Sequence, residues 1–350
     1  MSGSKPMRFI VLGAGVIGCY VGGRLAAAGQ AVTLVGRPRL TEAMARDGLT
    51  ISDLDGFKTH LAPQQLHLVN SLAAAWASES AAAATPSTGP TVVLLCVKGG
   101  ATASAARELA ACCPAGTVVL SLQNGVENVA RIRTAAPELV ALAGMVPYNV
   151  VMPGPAHVHR GSTGTLHLAR HPVTEAMLPL LAAAGLPTAL SEDMLAVQWG
   201  KLLLNLNNPI NALSGLPLRE QLLQRDYRRV LATLQAEALA ALDAAGILPA
   251  QVASAPPRVV PHLLRLPNWL FTRVAARLLR IDASARSSMW DDLQQGRGTE
   301  IDDLCGAVVR LAEYHGEPAP CNAAIAQLVM AHHTGQCWTS AALRQAVMGP

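Results

Sequence analysis

A lysine and three amides interrupt a leucine-rich run in the middle of the chain. Residues 199–209 read Trp-Gly-Lys-Leu-Leu-Leu-Asn-Leu-Asn-Asn-Pro. On a helix, at about 100° per residue, Lys201, Asn205 and Asn208 point the same way, and leucines cover the other faces. Such a stripe can offer a ligand positive charge, a proton and neutral hydrogen-bonding groups. It could equally face water, so the elements around it must decide between a ligand site and a solvated surface.

A second polar block follows nearer the C-terminal end. Residues 287–302 read Ser-Ser-Met-Trp-Asp-Asp-Leu-Gln-Gln-Gly-Arg-Gly-Thr-Glu-Ile-Asp. Gly296 and Gly298 interrupt a helix, and Thr299 fits the N-cap of the next one, which would put Glu300 in a first helical turn. Helix capping and the helix dipole alone could explain both residues, so a functional interpretation stays open at this point.

A glycine-rich turn near the N-terminal end predicts dinucleotide binding. It has the G-x-G-x-x-G pattern and consists of Gly13, Ala14, Gly15, Val16, Ile17 and Gly18. An apolar strand over 8–12 precedes it, and a helix over 19–28 and a second strand over 31–35 follow, which is the context in which the pattern is informative. Gly13 allows the tight turn, Gly15 lets backbone amides approach a pyrophosphate, and Gly18 allows close helix packing.

The end of the second strand bears on which dinucleotide is bound. A site that prefers NAD carries Asp or Glu there to hold the ribose 2′-hydroxyl, but this chain has Gly-Arg-Pro-Arg at 36–39. A guanidinium at Arg37 can pair with a 2′-phosphate, so the sequence favours NADP(H) over NAD(H). The alternative is that Arg37 is a solvated loop residue.

Two further polar residues follow predicted strands. Lys98 comes after the strand at 91–97, and Asn124 comes after the strand at 117–122; a third strand covers 139–146. Ligands of a doubly wound sheet sit beyond the carboxyl ends of its strands, so both side chains are placed to touch a cofactor. Asn124 with the glycine after it could also be a plain turn.

Three histidines lie close together in the sequence without a metal-binding pattern. His157 and His159 precede a glycine-flanked segment and His167 follows it, and the alternation on both sides predicts a β-hairpin. No carboxylate or cysteine joins them, so we predict no metal site.

The seven cysteines are an odd number without zinc spacing, which indicates buried free thiols and a cytoplasmic protein.

Length and composition indicate two domains. Strand signals stop after 187–190, and Ala- and Leu-rich helical patterns such as 226–245 follow. We therefore predict an α/β Rossmann-type dinucleotide-binding domain over 1–190 and an all-helical C-terminal domain over 191–350.

The net charge of +4 is mild and spread out, which argues against a nucleic-acid partner but would help attract an anionic substrate. Apolar runs are too short to predict a membrane span.

These motifs together resemble the ketopantoate reductases (2-dehydropantoate 2-reductases) over nearly the whole chain. The C-terminal blocks carry the resemblance more specifically than the glycine turn does. It implies a Rossmann domain, a helical domain and an active site in the cleft between them. It also implies NADPH-dependent reduction of 2-dehydropantoate to (R)-pantoate, a step of pantothenate and coenzyme A biosynthesis.

The resemblance also implies roles for individual residues. Lys201 matches the family's catalytic lysine, which we interpret as a general acid. The positions that match substrate contacts are Asn124, Asn205 and Ser288, and helical geometry selects Asn208 as a further substrate contact. The positions that match cofactor contacts, beyond the glycine turn, are Arg37, Lys98, Asn124, Val150 and Glu300. Glu300 could orient ribose, substrate or lysine, and the sequence leaves these alternatives open.

The second substrate amide departs from the family's spacing. In many members the asparagine before proline comes four positions after the first helix asparagine, whereas in this chain Asn208 comes three positions after Asn205. On a continuous helix Asn208 lies about 20° from Lys201, whereas Asn207 and Asn211 lie about 120° and 80° away, which favours Asn208. Pro209 cannot donate a backbone hydrogen bond, so we expect a kink there.

The chemistry of the predicted reaction suits the residues named. Hydride addition at C2 of a 2-oxo acid creates an alkoxide that needs a positive donor nearby, and Lys201 can supply both charge and proton. Two alternatives remain: a related reductase of another branched 2-oxo acid, and a noncatalytic dinucleotide-sensing module. A small 2-oxo acid is the expected partner, and a homodimer is left open.

Overall fold

The computed structural model describes residues 7–77, 89–154, 156–275, 285–333 and 335–349. Within them the chain divides into two compact units. Unit 1 comprises Met1–Gln123 and Glu127–Met194, and unit 2 comprises Asn124–Val126 and Leu195–Pro350. Unit 1 contains the strands and unit 2 is helical, which confirms the predicted fold class.

Unit 1 alternates strands and helices. Its elements in chain order are β1 (Arg8–Leu12), α1 (Val16–Ala27), β2 (Ala31–Val35), α2 (Pro38–Asp47), β3 (Leu49–Asp53), β4 (Lys58–Leu61), β5 (His67–Val69), α3 (Leu72–Ala77), β6 (Thr91–Leu95), α4 (Thr102–Cys112), β7 (Val118–Ser121), α5 (Asn128–Ala135), β8 (Val140–Met145), β9 (Val150–Gly154), β10 (His157–Arg160), β11 (Leu166–Ala169), α6 (Pro172–Ala183) and β12 (Thr188–Ser191). The strands predicted over 8–12 and 31–35 are confirmed at those bounds.

The larger sheet of unit 1 has the order β12-β11-β8-β7-β6-β1-β2-β5 in the described residues. From β8 to β5 every neighbouring pair is parallel, and β11 runs antiparallel to β8. The chain leaves β1 toward β5, then returns to β6 beside β1 and continues the other way. This reversal is the switch point at which doubly wound sheets bind ligands.

Both faces of the central strand are buried. Phe9 and Val11 belong to one apolar cluster, and Ile10 and Leu12 belong to another. Successive side chains of a strand point to opposite faces, so the continuous apolar run supplies both clusters. The sheet is thereby covered on both sides, and its carboxyl edge is the place where polar residues can collect.

The predicted histidine hairpin is wrong. A second sheet has the order β4-β3-β10-β9, and β10 pairs with β3 and β9, whereas β11 pairs with β8 and β12 of the larger sheet. The alternation of residues predicts the strands but not their partners, because pairing depends on distant segments. Ser52 Oγ lies 2.8 Å from both His157 Nε2 and His159 Nδ1, so these two histidines contact β3.

Unit 2 is built around one long helix. Its elements are α7 (Met194–Asn205), α8 (Asn207–Ser214), α9 (Leu218–Leu223), α10 (Arg225–Ala244), α11 (Val260–Leu264), α12 (Asn268–Val274), α13 (Ser288–Gln294), a π-helical turn (Asp302–Gly306), α14 (Ala307–His315), α15 (Pro320–Met330) and α16 (Ser340–Met348). α10 packs against α11, α14, α15 and α16, and its apolar face forms much of the core. Of the helices described, none is long and apolar enough to span a membrane.

Candidate functional site

The glycine turn in unit 1 is shaped by close backbone contacts. Gly13 has a φ of +107°, and a Cβ on it would lie 2.7 Å from the backbone N of Val97. A Cβ on Gly18 would lie 2.2 Å from the Gly13 carbonyl oxygen. A Cβ on Gly15, by contrast, would meet nothing within 4 Å. Gly13 and Gly18 are therefore required by packing, whereas Gly15 leaves the backbone open to a ligand.

The start of α1 has the properties of an anion site. No side chain of the described residues caps this helix, and its first turn contains no acidic residue. The amide of Ala14 donates to the Val35 carbonyl at 2.8 Å, and the amide of Gly15 donates to the Gly13 carbonyl at 2.8 Å, which fix the turn before the helix. The first-turn amides that follow can receive a pyrophosphate, so the residues present fit a dinucleotide.

The other predicted cofactor residues of unit 1 lie at strand ends. Arg37 follows β2 directly before α2, its side chain is exposed, and it forms no ion pair with any described residue. Lys98 follows β6 and is also exposed. Val150 begins β9, and its buried side chain belongs to the core of unit 1, so a cofactor contact through its backbone stays a prediction.

Gln123 is a buried residue for which we predicted no role from the sequence. Its Nε2 donates to the Val97 carbonyl at 2.9 Å and to Thr102 Oγ1 at 2.8 Å. Its Oε1 accepts a hydrogen bond from Ser121 Oγ at 2.9 Å. These bonds tie the end of β7 to the segment after β6. A glutamine directly after the apolar strand predicted over 117–122 was the available signal.

Three predicted site residues meet within unit 2, although they are far apart in the sequence. Asn124, which belongs to this unit, donates from Nδ2 to Glu300 Oε2 at 2.9 Å. Asn205 Nδ2 lies 3.5 Å from Asn124 Oδ1. The two amides and the carboxylate therefore form a line, in which Asn124 connects the end of α7 to Glu300.

Lys201 lies one helical turn before Asn205 on the same face of α7. It is partly buried, and desolvation lowers the pKa of Lys201 to about 8. A lysine with such a pKa remains mostly protonated at neutral pH but gives up its proton more readily than an exposed lysine. Unit 2 thus combines a proton donor with neutral amides.

The helix that carries Lys201 is interrupted before Asn208, close to the position where we expected a kink at Pro209. α7 ends at Asn205, Leu206 is a turn residue, and α8 begins at Asn207. Pro209 has no amide hydrogen to donate to the Asn205 carbonyl, which explains why the helical ladder is interrupted here. The angles of a regular helix therefore no longer determine where the Asn208 side chain points.

Hydrogen bonds distinguish the three candidate amides on a different basis. Asn207 exchanges two hydrogen bonds with Gln221, at 3.1 and 2.9 Å. Asn211 is fully buried, donates to the Leu216 carbonyl at 2.9 Å and accepts from the backbone amide of Ser287 at 2.8 Å. The side chain of Asn208 forms no hydrogen bond with any residue that the structure describes, so it stays the candidate for a substrate contact.

Ser288 begins α13 and is exposed, whereas the preceding Ser287 is buried and has a structural role. Ser287 Oγ accepts from the amide of Trp290 at 3.2 Å and donates to the Asn208 carbonyl at 3.2 Å. Ser287 thus caps α13 and joins it to α8. The sequence did not assign this support to Ser287, because it depends on contacts between distant segments.

The predicted N-cap at Thr299 is wrong. Helical residues begin at Ile301, and the Glu300 carbonyl accepts the hydrogen bond from the Leu304 amide at 3.2 Å. A residue whose carbonyl accepts the first helical bond while it lies outside the helix is itself the N-cap, so Glu300 occupies that position. The π-helical turn Asp302–Gly306 follows directly, a backbone form that is frequent at functional sites.

No three His, Cys, Asp or Glu side chains in the described part of the chain lie together in a way that could hold a metal ion. All seven cysteines are free thiols.

Known proteins match this chain over most of its length. The family model for ketopantoate reductase PanE/ApbA matches residues 9–172, and the model for its C-terminal domain matches 193–333. A 2-dehydropantoate 2-reductase of Halobacterium salinarum is 30% identical over 332 residues, covering 92% of this chain and 98% of that protein.

Solved structures share the fold. A PanE/ApbA family ketopantoate reductase from Ralstonia eutropha JMP134 is 30% identical, with a TM-score of 0.75 over 93% of this chain and 97% of that one. The ternary structure of D-mandelate dehydrogenase with NADH and anilino(oxo)acetate is 18% identical, with a TM-score of 0.73 over 93% of this chain and 98% of that one. The latter similarity concerns the fold alone.

Proposed function

Because the chain belongs to the PanE/ApbA ketopantoate reductase family and is thus an NADP-dependent oxidoreductase, we propose that it reduces 2-dehydropantoate to (R)-pantoate with NADPH. This step would serve pantothenate and coenzyme A synthesis. The observation that carries the proposal is the line of Asn205, Asn124 and Glu300 in unit 2, beside a lysine whose pKa is lowered to about 8. Neither helix packing nor capping alone requires these residue types together.

The proposal assigns most of the cofactor contacts to unit 1, and the substrate contacts to unit 2. NADPH supplies the hydride when it is bound. The glycine turn and the uncapped start of α1 would hold its pyrophosphate, and Arg37 would hold its 2′-phosphate. Lys98, Asn124 and Glu300 are the proposed further cofactor contacts, together with the backbone of Val150.

Lys201 has the proposed role of general acid. Reduction of the C2 carbonyl leaves negative charge on its oxygen, and the Lys201 ammonium would stabilise that charge and then donate its proton. Desolvation lowers the pKa of Lys201 to about 8, which brings the acid near the pH at which it must act. A bound carboxylate would raise that pKa again, which keeps the lysine protonated until the proton is needed.

Neutral side chains would hold the substrate. Asn205, Asn208 and Ser288 can bind a carboxylate and a hydroxyl without adding charge of their own. Asn124 bonds to Glu300 at 2.9 Å, so its amide orientation is set before a substrate arrives. We also propose a cytoplasmic location, because seven free thiols fit a reducing compartment.

A second candidate function is reduction of a different branched 2-oxo acid. The helix break at Leu206, with Pro209 in the following turn, changes the backbone between Asn205 and Asn208. A pocket lined at that point by other groups would accept a different substituent on the 2-oxo acid. A D-mandelate dehydrogenase also has this fold.

Steady-state rates with a panel of 2-oxo acids, measured with NADPH and with NADH, test these proposals. We expect the largest kcat/KM for 2-dehydropantoate with NADPH. A larger value for another acid would replace the substrate assignment while keeping the reductase. NADPH binding without turnover of any acid would instead support the sensing module.

A further inference from the structure

The helix that carries Lys201 is fixed by three contacts with other parts of unit 2. The amide of Ala250 donates to the Ala196 carbonyl at 2.8 Å. Gln235 Nε2 donates to the Leu203 carbonyl at 2.9 Å. Gly200 packs against the loop after α10 so closely that a Cβ there would lie 2.2 Å from the Ala250 carbonyl oxygen. Two hydrogen bonds and one steric contact therefore hold α7 on either side of Lys201 in the sequence.

These contacts lie on the face of α7 that is turned away from the proposed site. At about 100° per residue, Ala196, Gly200 and Leu203 fall within about 60° of one another. Lys201 and Asn205 lie about 100° and 140° from Gly200 on the same helix. The fixed face thus determines how far α7 is rotated, and the rotation determines where Lys201 and Asn205 point.

The chemistry of each contact favours a positioning role over general packing. Leu203 lies in the last turn of α7, where carbonyl groups lose their helical partners, and Gln235 reaches it from α10. Gln235 is 3% exposed, so its amide group is buried in the protein interior. Glycine is a poor helix former, and its presence in the middle of α7 is explained by the close approach of the Ala250 carbonyl.

Little room remains around these residues for α7 to adjust. The cavity between Gly200, Leu203 and Gln235 has a volume of about 10 Å³, which is the space of a single water molecule. A methyl group added at Gly200 cannot avoid the Ala250 carbonyl by local rearrangement of side chains, because the obstacle is backbone. The backbone of α7 or of the loop that carries Ala250 must move, and the proposal is that α7 does.

We propose that Gly200 and Gln235 are positioning residues that set the rotation of α7 and thereby place the Lys201 ammonium against the substrate carbonyl. This inference rests on the proposed role of Lys201 as the proton donor. Displacement of about 1 Å from reacting geometry can lower a rate about 100-fold, so small movements of α7 have large effects on kcat.

Gly200→Ala is the first test. Alanine is a better helix former than glycine, so the substitution does not weaken the helix by itself. We expect kcat with 2-dehydropantoate to fall at least about 10-fold, while the Kd for NADPH stays near the parent value, because none of the proposed cofactor contacts lies on α7. The control is Gly161→Ala, which makes the same change where a Cβ meets nothing within 4 Å and φ is not positive.

Gln235→Met is the second test and decides the matter if Gly200→Ala does not fold. Methionine keeps the length of the side chain but cannot donate to the Leu203 carbonyl. We expect kcat to fall about 3- to 10-fold with a smaller change in KM, at a temperature where thermal unfolding shows the variant to be folded. Gln327→Met, on the exposed face of α15, is the matched control and should keep the parent kcat.

The outcomes separate this inference from the proposed function. A parent protein that reduces no 2-oxo acid contradicts the proposed function. An active parent whose folded Gly200→Ala or Gln235→Met variant keeps kcat contradicts the positioning role alone. A loss confined to stability, with kcat of the folded protein unchanged, also overturns it.

Discussion

The surroundings of two charged side chains in this molecule have opposite effects on the charged form: they favour it at Asp53 and disfavour it at Lys201. In unit 1 the Asp53 carboxylate accepts hydrogen bonds from Arg24 at 3.0 Å and Arg160 at 3.1 Å. The backbone amides of Asp55 and Phe57 each donate to its other oxygen at 3.0 Å. Burial alone would raise the pKa of Asp53, but the bonds from Arg160 and these amides lower it.

In unit 2 the pKa of a charged group is lowered as well, but the lower pKa has the opposite effect on its charge. Desolvation lowers the pKa of Lys201 to about 8, which moves the group toward its neutral form. The carboxylate of unit 1 is therefore stabilised in the charged state at every pH near neutrality, whereas the lysine lies close to its titration point. A buried ion pair with all its bonds formed serves structure, and a buried group near its pKa can exchange protons.

The largest effect that would test this contrast is expected from Lys201→Met. We predict that kcat falls about 100- to 10,000-fold, because the general acid is lost, while NADPH binding is kept. The free energy of unfolding at pH 7 should not fall and should rise by about 1 to 3 kcal/mol, because a desolvated charge is removed. Kinetics, NADPH titration and urea unfolding give the three readouts.

Lys58→Met is the matched control, since Lys58 is exposed in β4. It should leave both kcat and stability near the parent values. If Lys201→Met loses stability and keeps its rate, Lys201 has the structural role and the contrast is reversed.

Asp53→Asn should lower the stability of the protein and leave its catalytic rate unchanged. Removing one partner of a buried ion group leaves Arg24 and Arg160 without their shared carboxylate, and such losses cost about 3 to 5 kcal/mol. We expect urea unfolding at a correspondingly lower concentration and an unchanged kcat for the folded protein. Asp47→Asn, in the exposed pair with Arg46, should leave the unfolding midpoint unchanged. A large drop in kcat for folded Asp53→Asn would mean that the Asp53 group serves catalysis as well as structure.

Arg37→Ala tests an exposed charged residue, for comparison with the two buried ones. We predict that the Kd for NADPH rises about 10-fold and that the Kd for NADH stays the same, because a charge-assisted bond to the 2′-phosphate is lost. Arg46→Ala, near the other end of α2, is the control and should bind both cofactors as the parent does. Equal effects on NADPH and NADH would remove Arg37 from the 2′-phosphate site.

The parts of the fold that could be predicted depend on local signals. The strand before Gly13 and the conformation of that glycine follow from residues within one short segment, and the structure has both. Lys201 and Asn205 share a helical face because they are one turn apart within α7. Such features need only the geometry of a single strand, turn or helix.

The features that were missed depend on distant contacts. The partners of β10 could not be read from its alternation, because register and pairing are set by β3 and β9. The roles of Gln123 and Ser287 consist of bonds to other segments, such as Ser287 Oγ with the Asn208 carbonyl. The helix break at Leu206 was expected only as a kink at Pro209.

The smallest changes in stability are expected from pH, and the pH dependence should separate rate from stability. Lys201 must be protonated to act as an acid, so kcat/KM should fall about tenfold per pH unit above about 8. The bound anionic substrate raises that pKa, so kcat should begin to fall at a higher pH than kcat/KM. Between pH 8 and the ordinary lysine pKa the unfolded chain binds more protons than the folded one, so Lys201 makes stability rise there by about 1 kcal/mol per unit. Rate and stability should therefore change in opposite directions on the alkaline side.

At acidic pH, Asp53 makes the stability of the folded protein fall as the pH decreases. Its folded pKa is lowered, so its contribution to stability is complete above the unfolded carboxyl value of about 4 and is lost as the pH falls through the folded value. Urea unfolding from pH 3 to 9, with kcat/KM from pH 6 to 9.5, measures both sides. Lys201→Met should abolish the alkaline rise in stability, and Asp53→Asn should reduce the acid loss. If the parent loses rate and stability together above pH 8, partial unfolding rather than deprotonation of Lys201 limits the rate there.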